Sequence, residues 1–207
     1  MSAVSDPVSD IPSSTSTSLI LRVKQRDEAA WKRLVELYSR LVLYWCRQAD
    51  VPSQDRRDIL QDVFRAAFAS IDTFSKTKKG DSFRGWLRSV TRTRIADYFR
   101  NNAKLPTTTK QELLETLEAR PETIEEQKEN DLLTRQAWKM VLKRTDEKTR
   151  KIVELLMDGL NSTEVGERLG MKPGTVRAAK RRVKAMLKEF DGLIPQENED
   201  GDSQDET

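Results

Sequence analysis

Apolar residues recur along this chain at three- and four-residue steps, and nowhere do they alternate with polar ones over the length of a strand. The first run begins near Leu19. In it Ala29, Ala30, Leu34, Leu37, Tyr38, Leu41, Val42 and Trp45 form a wide stripe on one or two helices, which Pro52 interrupts. Ser53 is placed to cap a second helix over about 54–74. That helix puts Ile59, Leu60, Val63, Phe64, Ala67, Phe68 and Ile71 on one side, with Asp55, Asp58, Gln61, Asp62 and Arg65 around the other. A lysine-rich loop, 75–82, leads to a helix over 83–101 carrying Trp86, Leu87, Val90, Ile95, Tyr98 and Phe99. Beyond residue 102 the chain turns polar and acidic, contains Pro106 and Pro121, and offers only a marginal helix over 110–119. Helical periodicity resumes over 131–143 and 146–157.

The stretch 161–190, NSTEVGERLGMKPGTVRAAKRRVKAMLKEF, predicts two short helices joined by a tight turn. Asn161 is a good N-cap, and Glu164 three residues on completes a capping-box spacing. Val165 and Leu169 give the first helix an apolar stripe, Gly170 suits the turn, and Pro173 suits the first position of the next helix. Along that helix Val176, Ala179, Val183, Met186, Leu187 and Phe190 share one face, while Arg177, Lys180, Arg181, Lys184 and Lys188 fall on the other. Residues 172–190 hold seven Lys/Arg against one acid, Glu189. A merely solvated helix mixes its signs more evenly. The pattern is that of a helix-turn-helix whose basic second helix can enter a major groove.

The resulting expectation is an all-α protein of two small helical domains joined by an acidic flexible linker. A disordered tail would occupy 1–18, the first domain 19–102, the linker 103–130, the helix-turn-helix domain 131–190, and an acidic disordered tail 191–207. Charge sharpens this division. The net charge is only +3, from 37 Lys/Arg and 34 Asp/Glu, but the two signs are segregated. The final seventeen residues carry seven acids and no base, and 111–131 carries eight acids against Arg120 and Lys128. Bases concentrate in 83–102 and in the helix-turn-helix, as in a protein with two nucleic-acid-facing patches. With no histidine and one cysteine, Cys46, the chain offers no Cys/His zinc site, haem ligation, histidine catalysis or internal disulfide. Cys46 lies in the apolar run LVLYWC and reads as a small buried hydrophobe. No metal, cofactor or catalytic residue is expected. No signal pattern or membrane-length apolar run is present, so a soluble, cytoplasmic protein without membrane insertion is expected.

The patch SFRGWLRSVTRTRIADYFRN interleaves Arg84, Arg88, Arg92, Arg94 and Arg100 with Phe83, Trp86, Tyr98 and Phe99. Arginines can hold phosphates while aromatic faces stack on unpaired bases. Core packing competes for the same aromatics, and Trp86, Leu87 and Val90 have core spacing.

The order of these segments carries a family resemblance. An apolar helical pair is followed by DRRDILQDVFRAAFASIDTF, a loop, FRGWLRSVTRTRIADYFR, an acidic connector and STEVGERLGMKPGTV. Over about 19–190 the chain resembles sigma-70-family factors of the extracytoplasmic-function group. The resemblance implies a bacterial transcription initiation factor, not an enzyme, that binds core RNA polymerase and directs it to promoter DNA. Its region 2 would be 19–102 and its region 4 131–190. By position, Asp58, Gln61 and Asp62 would meet the β′ clamp helices of polymerase, whose β flap is the other contact the resemblance implies. Lys76, Lys78, Lys79, Arg84, Trp86, Arg88 and Arg92 would engage unwound minus-ten DNA. Thr175, Arg177, Lys180, Arg181 and Lys184 would read the minus-thirty-five element as duplex. The resemblance leaves an anti-sigma factor open as a further partner. The chain departs from the pattern at Gly166, where Ala is usual, at Lys172, where a capping Ser or Thr is common, and in its lysine-rich loop. Two other readings remain: a stand-alone helix-turn-helix regulator that never engages polymerase, and a helical adaptor whose basic faces bind acidic partners.

Overall fold

Four helices of this chain start at short polar side chains placed where free backbone N–H groups need an acceptor. The computed structural model describes residues 17–75, 82–102 and 122–193, and among them every regular element is helical. Helices α1 (Thr17–Lys24), α2 (Glu28–Gln48), α3 (Arg56–Ser70) and α4 (Phe83–Asn101) form the first unit. Helices α5 (Glu122–Lys143), α6 (Glu147–Met157), α7 (Ser162–Leu169) and α8 (Pro173–Leu187) form the second. Asp27 caps α2 by accepting the Ala30 N–H, Ser82 caps α4 by accepting that of Gly85, and Asp146 caps α6 by accepting that of Thr149. Those backbone hydrogen bonds hold the Asp27 and Asp146 carboxyls below their ordinary value of 3.8.

The long helix α2 is the central strut. Leu34, Leu37, Tyr38 and Val42 are fully buried along it, and α1, α3, α4 and α5 all pack against it. Aromatic edges finish the first unit: Phe83 lies 5.1 Å from Tyr38 and 5.4 Å from Phe74, and Trp31 lies 6.0 Å from Phe64. Cys46 is wholly buried, and burial pushes its thiol up to about 11. The expected cap of α3 does not form. Its N-cap is Asp55 rather than Ser53, and makes no side-chain cap bond. The Asp55 carboxylate instead accepts the Tyr98 hydroxyl at 2.6 Å, tying α3 to α4.

The second unit is built around a small core of Ile152, Leu155, Val165, Val176 and Ala179. The expected capping box at Asn161 and Glu164 is present, and Gly170 ends α7 at a φ of 64°. Pro173 opens α8, and its N-cap Lys172 makes no side-chain cap bond. Helix packing at the turn is tight enough that a Cβ built on Gly166 would stand 2.7 Å from the Met171 carbonyl oxygen.

The two units share a larger core. Leu133, Ala137, Met140 and Val141 of α5, Val153 of α6, Val183 of α8 and the following Phe190 and Leu193 join the core residues of α1 to α4. The Tyr38 hydroxyl donates to the Leu193 carbonyl at 3.1 Å, and Gln136 donates to the Glu36 carbonyl at 3.0 Å. Arg33 and Arg144 both donate to Glu189. The segment expected as linker is thus helical from Glu122 onward, nine residues before the second unit was expected to begin. Acids near a helix N-terminus suit the macrodipole, and α5 has the arginines of α4 to pair with. The expected helix over 110–119 and both tails lie outside the described residues.

Candidate polymerase and nucleic-acid interfaces

Helix α3 separates its two faces cleanly. Ile59, Val63, Phe64 and Ala67 are buried, while Asp58, Gln61 and Asp62 are exposed one turn apart. Asp62 accepts from Arg65 at 2.6 Å, a surface pair of little energetic weight. The result is an acid-and-amide rim over an apolar spine, as in a protein docking face.

Helix α4 presents its arginines differently from what the sequence suggests. Arg84 and Arg88, one turn apart, are 20% and 24% exposed because α5 lies over them. Arg84 donates to Glu126 and Asn130, and Arg88 donates to Glu129. Arg92 is half-buried. The aromatic residues are mostly packing. Phe83 is fully buried, so it is not a stacking platform, and Trp86 is half-buried with its ring 5.3 Å from Phe83 and 5.7 Å from Phe74. Lys76, Lys78 and Lys79 lie outside the described residues.

On α8 the predicted set is together and open. Thr175, Arg177, Lys180, Arg181 and Lys184 are all exposed, with Val176, Ala179 and Val183 buried beneath them. Arg182 donates to the Thr149 hydroxyl at 2.9 Å and braces α8 on α6. Among the described residues no cluster could hold a metal ion, and no helix is long and apolar enough to cross a membrane.

Against known families, residues 34–105 match the sigma-70 region 2 domain. The match runs from within α2 to just beyond α4, and so contains both the α3 rim and the α4 arginines. The likeness to the sigma-70 family rests on this segment, about a third of the chain. The RNA polymerase sigma factor NccH of Alcaligenes xylosoxydans xylosoxydans is 33% identical over 84 residues, which span 41% of this chain and 44% of NccH. Among solved structures, CnrH in complex with the cytosolic domain of CnrY aligns at 22% identity with a TM-score of 0.36, over 83% of this chain and 94% of that one. The RsbN–BldN complex gives 20% identity and a TM-score of 0.35, over 81% and 96%.

The sequence reading placed Trp45 only in an apolar stripe and singled out none of Glu126, Glu129 and Asn130. The signal was present in part. Glu126 and Glu129 are three apart and Arg84 and Arg88 four apart, so each pair shares a helical face. Nothing in the spacing says that the two faces meet.

Proposed function

We propose that this protein is a transcription initiation factor of the extracytoplasmic-function type, which binds core RNA polymerase and confers promoter specificity on it. The observation that carries the reading is the α3 rim inside the matched region 2 domain. There Asp58, Gln61 and Asp62 stand exposed over Ile59, Val63 and Phe64. In this reading α3 docks on the β′ clamp helices, the second unit meets the β flap, and polymerase supplies all the catalysis. The α4 segment and the loop before it capture unwound minus-ten DNA, where extracting a base costs a few kcal/mol that the pocket must offset. The exposed face of α8 reads the minus-thirty-five duplex. Arg177 and Arg181, one turn apart, suit guanine edges, and Lys180 and Lys184 suit phosphates.

The test is co-elution of the full chain with purified bacterial core polymerase, comparing wild type with D58K/D62K. Loss of co-elution in a variant that keeps its circular dichroism supports the reading. A wild type that never associates, yet binds duplex sites alone, overturns it in favour of a stand-alone regulator.

A further inference from the structure

Glu129 is 1% exposed, an unusual position for a carboxylate. It accepts the Trp45 indole N–H at 2.6 Å and an Arg88 guanidinium N–H, and Arg84 Nε stands 3.7 Å away. The Arg88 guanidinium also lies 5.8 Å from the Trp45 ring centre. A carboxylate withdrawn from water is costly unless it is paired and hydrogen-bonded, and here it is both. Trp45, Arg84 and Arg88 therefore make a built anion site. Glu126 and Asn130, on the same face of α5, take further Arg84 donors.

Those donors match a phosphate oxygen as well as a carboxylate. We propose that Glu129 is an acidic latch. It fills the Trp45–Arg84–Arg88 site in the closed chain, and a backbone phosphate of the unwound promoter strand takes that site when α5 leaves. The inference rests on the reading of α4 as a DNA-facing element. Intramolecular tethering gives Glu129 a high effective concentration, so the latch outcompetes a phosphate met in free solution. It yields once polymerase holds promoter DNA against α4.

The experiment uses the full chain and a fluorescein-labelled, mixed-sequence single strand of about 20 nucleotides, long enough to follow a basic channel. Glu129→Gln keeps shape and the indole acceptor but removes the charge. Apparent affinity scales with the open fraction, so E129Q is expected to bind the strand about tenfold tighter, with faster amide exchange across 126–133. Asp131→Asn, the same charge change on an exposed neighbour, is expected to alter affinity less than about twofold. E129Q/R88A is expected to lose the gain. If E129Q does not fold, Glu129→Asp, with its shorter reach, serves in its place.

Unchanged exchange and unchanged affinity would show that no latch exists. Faster exchange without tighter binding would overturn the phosphate exchange and, with it, the DNA role of α4, leaving the polymerase docking of α3 to its own co-elution test. A gain that survives R88A would place binding elsewhere and also overturn the proposal.

Discussion

Gly166 sits where a methyl group has no room. Alanine would favour α7 by about 1 kcal/mol in propensity alone. Its Cβ, however, would meet a backbone oxygen at 2.7 Å, and that oxygen belongs to the turn itself. Overpacking of this kind costs about 1–3 kcal/mol, so G166A is expected to lower the urea midpoint rather than raise it. The sequence marked Gly166 as a departure from the family pattern, but the turn geometry gives the departure its sign. Asp146 offers a second residue-scale test. Its carboxyl is held below 3.8, first by the Thr149 N–H and then by the Thr149 hydroxyl. A depressed folded-state value adds stability above the unfolded value, and that stability is lost as pH falls through the folded one. D146A is expected to melt below wild type at pH 7, with the gap closing at pH below about 3.8, in thermal scans across that range.

At the scale of elements, amphipathic faces were legible and partners were not. The apolar stripes of α2, α3 and α8 followed from three- and four-residue spacing apart from the exposed Ala29 and Phe68, because burial of one helical face leaves a periodic record. The register of α5 on α4 left none, since it depends on two polar faces far apart in sequence. For the same reason nothing in the sequence showed that α5 covers Arg84 and Arg88. On α8 the division of labour can be read by salt titration. R177A is expected to relax base preference at one position of the upstream duplex by about 1–3 kcal/mol in holoenzyme binding. K184A is expected to weaken all sequences alike and to reduce the salt slope by about 0.9. Identical behaviour of the two variants would deny Arg177 a base-reading role.

At the scale of the molecule, the shared core sets a geometric conflict with the proposed function. Elements 25 positions apart on a duplex are separated by about 85 Å at 3.4 Å per step. A folded chain of this length has a radius of gyration of only about 17 Å. The two units must therefore part when both elements are held, and Phe190 is one of the groups that leaves the core. In the free chain F190A is expected to cost about 3–5 kcal/mol. Because one core serves both units, the wild type is expected to unfold in one step. Tryptophan fluorescence and far-ultraviolet circular dichroism should then give coincident urea transitions. Separate transitions would show that the units are stable apart.

The bond from Tyr38 to the Leu193 carbonyl closes a circuit between the earliest and latest described parts of the chain. On the ribosome those parts emerge in order. Helices α1 to α4 emerge before α5, Phe190 and Leu193 do, so the flank of α2 that they cover is bare for that interval. At about 5–20 residues per second the wait is several seconds. During it the nascent first unit carries an uncovered α4, with Glu129 not yet free of the ribosome to cover it.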